Sequence, residues 1–85
     1  MRLDKFLKVS RIIKRRTVAG EACERQRVFV NGNPAKPGKD VKPGDTIDVH
    51  FGTNTLKIKV LLITETVRKE EAGSMYEVLE EKSRA

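Results

Sequence analysis

Val28-Phe29-Val30-Asn31-Gly32-Asn33-Pro34 is the stretch in which the chain changes its period. Before it, apolar residues recur at helical spacing; from Val28 onward they alternate. Asn31-Gly32 is the dipeptide that accepts positive φ at both central positions of a tight hairpin, so Val28–Val30 reads as a strand running into a two-residue turn. Asn33 to Lys36 returns as a short edge strand that tolerates Pro34. Downstream, Val41-Lys42-Pro43-Gly44-Asp45 reads as a type II turn, with proline at the second position and glycine at the third. Thr46 to Phe51 alternates Ile47, Val49 and Phe51 with Thr46, Asp48 and His50, and Gly52-Thr53-Asn54 leads to a further strand over Thr55–Ile63. Residues 68–74 are polar and read as a loop. Met75–Leu79 reads as a last strand, with one helical turn as the alternative.

Working back toward the N-terminus, Leu3, Phe6 and Leu7 fall within one arc of a helix over residues 3–9, leaving Arg2, Asp4, Lys5 and Lys8 on the rest of the circumference. Residues 10–16 break that pattern. Thr17 is a fair N-cap for a second helix to about Arg25, with Val18, Ala19, Ala22 and Cys23 facing inward. Gly20 within it costs about 1 kcal/mol relative to alanine, so this helix leans on its packing. Two short helices followed by four or five short strands make an α+β fold, the helices packed on one side of a small, mostly antiparallel sheet.

Composition narrows the function. The 85 residues make one small domain. The longest apolar run is Val60 to Ile63, far short of a membrane span, and the first residues lack the apolar core of a secretory signal. A single cysteine, Cys23, and a single histidine, His50, support neither a disulfide framework nor a metal site. Neither cofactor, metal nor catalytic residues are expected, and the chain reads as non-enzymatic and cytoplasmic. Of the net charge of +6, residues 1–30 carry +6, residues 31–64 carry +2 and residues 65–85 carry −2. A basic cluster at one end is the electrostatic pattern of a nucleic-acid-binding surface. Arg2, Lys5, Lys8, Arg11, Lys14, Arg15 and Arg16 are its candidate contacts, whereas Lys57 and Lys59 read as the wet side of a strand.

Four separate segments, in order, carry a resemblance: Arg2-Leu3-Asp4-Lys5-Phe6-Leu7, Lys14-Arg15-Arg16-Thr17-Val18-Ala19, Val28-Phe29-Val30-Asn31-Gly32 and Val41-Lys42-Pro43-Gly44-Asp45. Together they resemble the RNA-binding domain named after small-subunit ribosomal protein four, whose core is called the alpha-L motif. The resemblance makes residues 1–80 a single RNA-binding domain, with the motif over about 1–50, a strand extension over 51–80 and a flexible tail over 81–85. Lys69-Glu70-Glu71-Ala72 and Met75-Tyr76-Glu77-Val78-Leu79 are similar to the stand-alone RqcP branch, a relative of the ribosome-associated heat-shock protein with the same domain.

That branch implies a factor that binds large ribosomal subunits obstructed by peptidyl-tRNA. It would contact P-site tRNA and large-subunit rRNA, and support alanine tailing of the stalled chain with the partner RqcH, as a monomer. Alternatives are a heat-shock-type rescue factor for dissociated large subunits, or the accessory RNA-binding module of an RNA-modifying enzyme. The family's RNA-contacting positions match at Arg2, Asp4, Lys5, Arg15, Arg16 and Thr17. Asp4 looks out of place on a basic stripe: it could accept from a base or a 2′-hydroxyl, orient Arg16, or pair with Lys8. The family often places glycine just before the first strand, where this chain has Gln26, so that corner is expected to differ locally. Cys23 reads as a small buried hydrophobe. With three Phe and one Tyr, recognition should rest on RNA backbone and shape rather than on base stacking.

Overall fold

The Asn31-Gly32 turn closes as its residues require, with φ of 52° and 86°, and pairs β1 (Val28–Val30) with β2 (Asn33–Pro34) antiparallel. This computed structural model describes residues 1–64 and 69–83. Ahead of the hairpin lie α1 (Leu3–Val9) and α2 (Arg16–Glu24); after it come β3 (Thr46–Phe51), β4 (Asn54–Val60), a 3₁₀ helix (Lys69–Met75) and β5 (Tyr76–Ser83). The five strands form one sheet in the order β2-β1-β3-β4-β5, every neighbouring pair antiparallel. The expected α+β class therefore holds.

One face of the sheet is apolar and the other wet, as alternation demands. Val28, Val30, Ile47, Val49, Ile58 and Val60 are buried in a single cluster with Leu3, Phe6, Leu7, Ala19 and Cys23. The opposite face carries Phe29, Asp48, His50, Lys57 and Lys59, with the Phe29 ring edge-on to His50. At the second turn Gly44 takes φ 97°, the geometry a type II turn needs at its third position, and Asp45 N–H reaches Lys42 C=O at 3.1 Å. Asn31 ties the two turns together: its Oδ1 accepts from Thr46 N–H at 2.9 Å and its Nδ2 donates to Asp45 Oδ1 at 3.2 Å.

The helix-to-strand corner departs from expectation by not departing from the usual geometry. Gln26 takes φ 58°, the left-handed conformation glycine normally supplies. Its N–H reaches Cys23 C=O at 3.0 Å, and Arg27 N–H reaches Ala22 C=O at 2.9 Å. This is a complete Schellman closure with glutamine in the glycine position.

Five local readings are corrected. α2 begins at Arg16, with Arg15 rather than Thr17 in the N-cap position. Val18 is 47% exposed instead of inward. The buried arc of α2 is set by Ala19 and Cys23, four residues apart, and Val18 lies about 100° around from it. β4 stops at Val60 because Leu61 and Leu62 both send their N–H groups to one acceptor, Met75 C=O, at 2.9 and 3.2 Å, which ends the ladder. The polar segment read as a loop is 3₁₀-helical from Lys69, where the three-residue period aligns buried Ala72 with buried Met75; residue 68 lies outside the described residues. The last strand is real but longer than read. It pairs with β4 through Ser83, so residues 81–83 are not a tail, and residues 84–85 lie outside the described residues. A bulge at Leu79 lets Ile58 oppose Val78 while Lys57 opposes Glu80, which keeps Lys59–Glu77 and Lys57–Glu80 as opposite-charge pairs on the wet face.

Candidate nucleic-acid interface

The two helix N-termini differ in what their backbone is free to do. At α1 the first-turn donors are used: Leu3 N–H reaches Lys39 C=O at 2.8 Å, Asp4 N–H reaches Pro37 C=O at 3.1 Å and Lys5 N–H reaches Asp4 Oδ1 at 2.7 Å. An isolated bridge between Arg2 and Asp40 lays the 36–41 loop along the start of that helix. At α2, Arg15 provides no side-chain cap, and among the described hydrogen bonds the N–H groups of Arg16, Thr17 and Val18 have no acceptor. Unpaired donors and the positive end of the helix dipole favour an anion there, and the side chains of Lys14, Arg15, Arg16 and Thr17 are all exposed around them.

Asp4 is the buried hub of this region. Its side chain is 9% exposed, yet Arg2 Nε lies 3.3 Å from Oδ1 and Arg16 Nε lies 3.4 Å from Oδ2. Arg2 Nη2 adds a second contact to Oδ2 at 3.4 Å. Of the three readings of Asp4, pairing with Lys8 does not occur among the described ion pairs; an ion pair with Arg16 does, and Arg2 shares the carboxylate. A fork-shaped guanidinium held by one carboxylate still presents its remaining N–H groups outward.

The structure thus brings Arg2, Asp4 and Arg16 into contact, with Lys5, Arg15 and Thr17 as their chain neighbours. Lys8, Arg11 and Lys14 are exposed at the far end of α1 and along the linker, and the structure gives them no contact with the Asp4 centre. Arg11 takes φ 63° and closes α1 through its N–H to Lys8 C=O at 3.0 Å. Sequence reasoning missed the Lys36-Pro37-Gly38-Lys39 turn, closed by Lys39 N–H to Lys36 C=O at 3.0 Å. No local signal says that this turn lies beside Arg2; the Arg2–Asp40 bridge decides it. Between the turn and α2 runs an open groove of about 530 Å³, lined among others by Pro37, Thr17, Gly20 and Glu24.

Cys23 is buried, and its thiol is pushed up to about 11, first by burial and then by the nearby carboxylates of Asp4 and Glu24. Among the described residues no group of three or more His, Cys, Asp or Glu could hold a metal ion, and no helix is long and apolar enough to cross a membrane.

An open, cation-ringed α2 N-terminus beside a two-helix, antiparallel-sheet core defines the class. The chain belongs to the S4 domain family, matching it over residues 1–47. It is 57% identical over 81 residues to the "RQC P-site tRNA stabilizing factor" of Halalkalibacterium halodurans, a match covering 95% of this chain and 92% of that protein. The protein of the same name from Bacillus subtilis is 53% identical over 81 residues, covering 95% and 94% of the two chains. Among solved structures, the trimeric Heat Shock Protein 15 of Vibrio cholerae superposes with a TM-score of 0.86 at 34% identity, covering 92% of this chain and 80% of that one.

Proposed function

We propose that this protein is a non-enzymatic RNA-binding factor of ribosome quality control that stabilises P-site tRNA on obstructed large ribosomal subunits. The observation that carries the reading is the open N-terminus of α2 within Lys14, Arg15 and Arg16, held against Arg2 through Asp4. In this reading Arg15, Arg16 and the α2 N–H groups take RNA phosphates, Thr17 adds a hydroxyl, and Arg2 and Lys5 extend the contact along α1. Lys8, Arg11 and Lys14 supply a longer basic track toward large-subunit rRNA. The relatives named for P-site tRNA stabilisation, matched over nearly their whole length, support this role. The finer proposal is a cytoplasmic monomer that touches both peptidyl-tRNA and large-subunit rRNA and supports alanine tailing by RqcH without chemistry of its own.

The test is sedimentation of tagged protein with large subunits that retain peptidyl-tRNA. Wild type should travel with those particles and leave them as salt rises, because each phosphate contact releases counterions. An Arg15→Ala/Arg16→Ala protein should stay at the top of the gradient while keeping its circular-dichroism spectrum. Co-sedimentation of that variant at the wild-type level would overturn the assignment.

A further inference from the structure

We infer that the Lys36-Pro37-Gly38-Lys39 turn is a second phosphate-binding arm of the same RNA surface. The inference rests on the RNA-binding reading above and adds residues outside the basic first third of the chain.

The argument is a line of contacts. Arg16 Nε lies 3.4 Å from Asp4 Oδ2, and Arg2 Nε lies 3.3 Å from Asp4 Oδ1. The Arg2 guanidinium in turn stands over the turn itself: a methyl group placed on Gly38 would be 3.9 Å from Arg2 Nη2. Lys36 and Lys39 are the two ends of that turn, joined by the hydrogen bond from Lys39 N–H to Lys36 C=O, and so stand close to each other. The cations of α2, α1 and the turn therefore follow one another across the surface, with the buried Asp4 carboxylate between the two arginines and two exposed carboxylates beside the turn, Glu24 next to Lys36 and Asp40 held by the N-terminal ammonium.

Both lysines are available. Lys39 is exposed and has no ion-pair partner among the described residues. Lys36 stands 3.7 Å from Glu24, but the two side chains are 77% and 61% exposed, and an ion pair so solvated holds neither in place. The turn is also anchored, since its Pro37 and Lys39 carbonyls cap α1. A charge pair on a fixed turn loses less entropy on binding than one on a loose loop. Its occupant is the sugar–phosphate backbone of an RNA strand that continues past Arg2 from the α2 N-terminus.

The experiment compares two double variants that remove the same charge. Lys36→Ala/Lys39→Ala changes the turn; Lys57→Ala/Lys59→Ala changes the wet face of the sheet. Each is titrated with bulk bacterial tRNA and with isolated large subunits over a salt series. The turn variant should bind at least one of these RNAs about tenfold or more weakly, and its salt dependence should be shallower by about 1.5 in log–log slope, as two lost phosphate contacts require. The sheet variant should bind within about twofold of wild type, and Lys36→Arg/Lys39→Arg should restore binding. Equal losses in the two alanine variants would reduce the effect to net charge and overturn the inference. So would wild-type binding of the turn variant alongside weak binding of Arg15→Ala/Arg16→Ala, an outcome that leaves the RNA-binding reading standing. If Arg15→Ala/Arg16→Ala also bound normally, that reading itself would fall.

Discussion

Asp4 Oδ2 and Arg16 Nε stand 3.4 Å apart, joining the first turn of one helix to the first turn of the next. The carboxylate is nearly buried and the guanidinium about half exposed. An acid inside a basic cluster weakens its overall attraction for RNA, so simple electrostatics favours removing it. The geometry predicts the reverse: without the charge, Arg16 and Arg2 lose their shared anchor. Asp4→Asn, nearly isosteric, should weaken tRNA binding about tenfold, the equivalent of one charged hydrogen bond of roughly 1.5 kcal/mol. Fluorescence-anisotropy titration against tRNA checks it, and tighter binding by the Asn protein would leave only a generic basic patch.

The thiol of Cys23 gives a prediction in pH. Burial first, then the carboxylates of Asp4 and Glu24, raise it from an ordinary 9.0 to about 11. The folded state therefore keeps its proton where the unfolded chain has begun to lose it. The associated stability is fully present below pH 9 and is lost as pH rises through about 11. Urea midpoints should fall more steeply over that window for wild type than for Cys23→Ala. At pH 8 iodoacetamide should label the native protein slowly and the urea-unfolded protein quickly.

Legibility in the sequence followed the range of the forces involved. Asn31-Gly32 and Pro43-Gly44 could be read because a turn is decided by its own residues, and both glycines take the positive φ expected of them. Leu3, Phe6 and Leu7 could be read because a helix stripe is periodic. Val18 was misread because the width of the buried arc depends on what packs against α2. The 3₁₀ helix and the Leu79 bulge were hidden because Met75 and β4, not local propensity, place them. The candidate site divided the same way. Its cations were visible as a charge cluster, but the Arg2–Asp4–Arg16 bridge and the nearness of the 36–39 turn depend on chain segments meeting.

Asn31 should matter beyond its own turn. Its side chain accepts from Thr46 N–H and donates to Asp45 Oδ1, while Asp45 Oδ2 accepts from Lys42 N–H at 3.1 Å. Asn31→Gly keeps the left-handed backbone but deletes both side-chain bonds. A loss of about 1–2 kcal/mol is expected, two modest hydrogen bonds in a partly solvated place. Asn31→Ala, which adds strain at φ 52°, should cost more than Asn31→Gly. Urea denaturation of the two variants tests the order, and equal midpoints would mean that the lost side-chain bonds, not the backbone conformation, set the cost.

Gln26 and Arg11 pose the same backbone problem with different functional consequences. Both hold φ near 60°, at 58° and 63°, just beyond the ends of α2 and α1. A side chain in that conformation costs about 1–2 kcal/mol, part of which glycine gives back through the greater freedom of its unfolded chain. Gln26→Gly should therefore stabilise the fold by about 0.5–1 kcal/mol, raising Tm by about 2–8 °C for a domain of this size. It should leave tRNA affinity unchanged, since Gln26 carries no charge and lies outside the cation set. Arg11→Gly should stabilise by a similar amount, because Arg11 N–H still reaches Lys8 C=O, yet it removes one of the linker cations and should weaken tRNA binding. Calorimetry and titration on the same two proteins separate the terms. A drop in Tm for Gln26→Gly would mean that its side chain, not its φ, decides the corner. Unchanged tRNA binding by Arg11→Gly would remove that residue from the RNA surface and confine the interface to the Arg2–Asp4–Arg16 end.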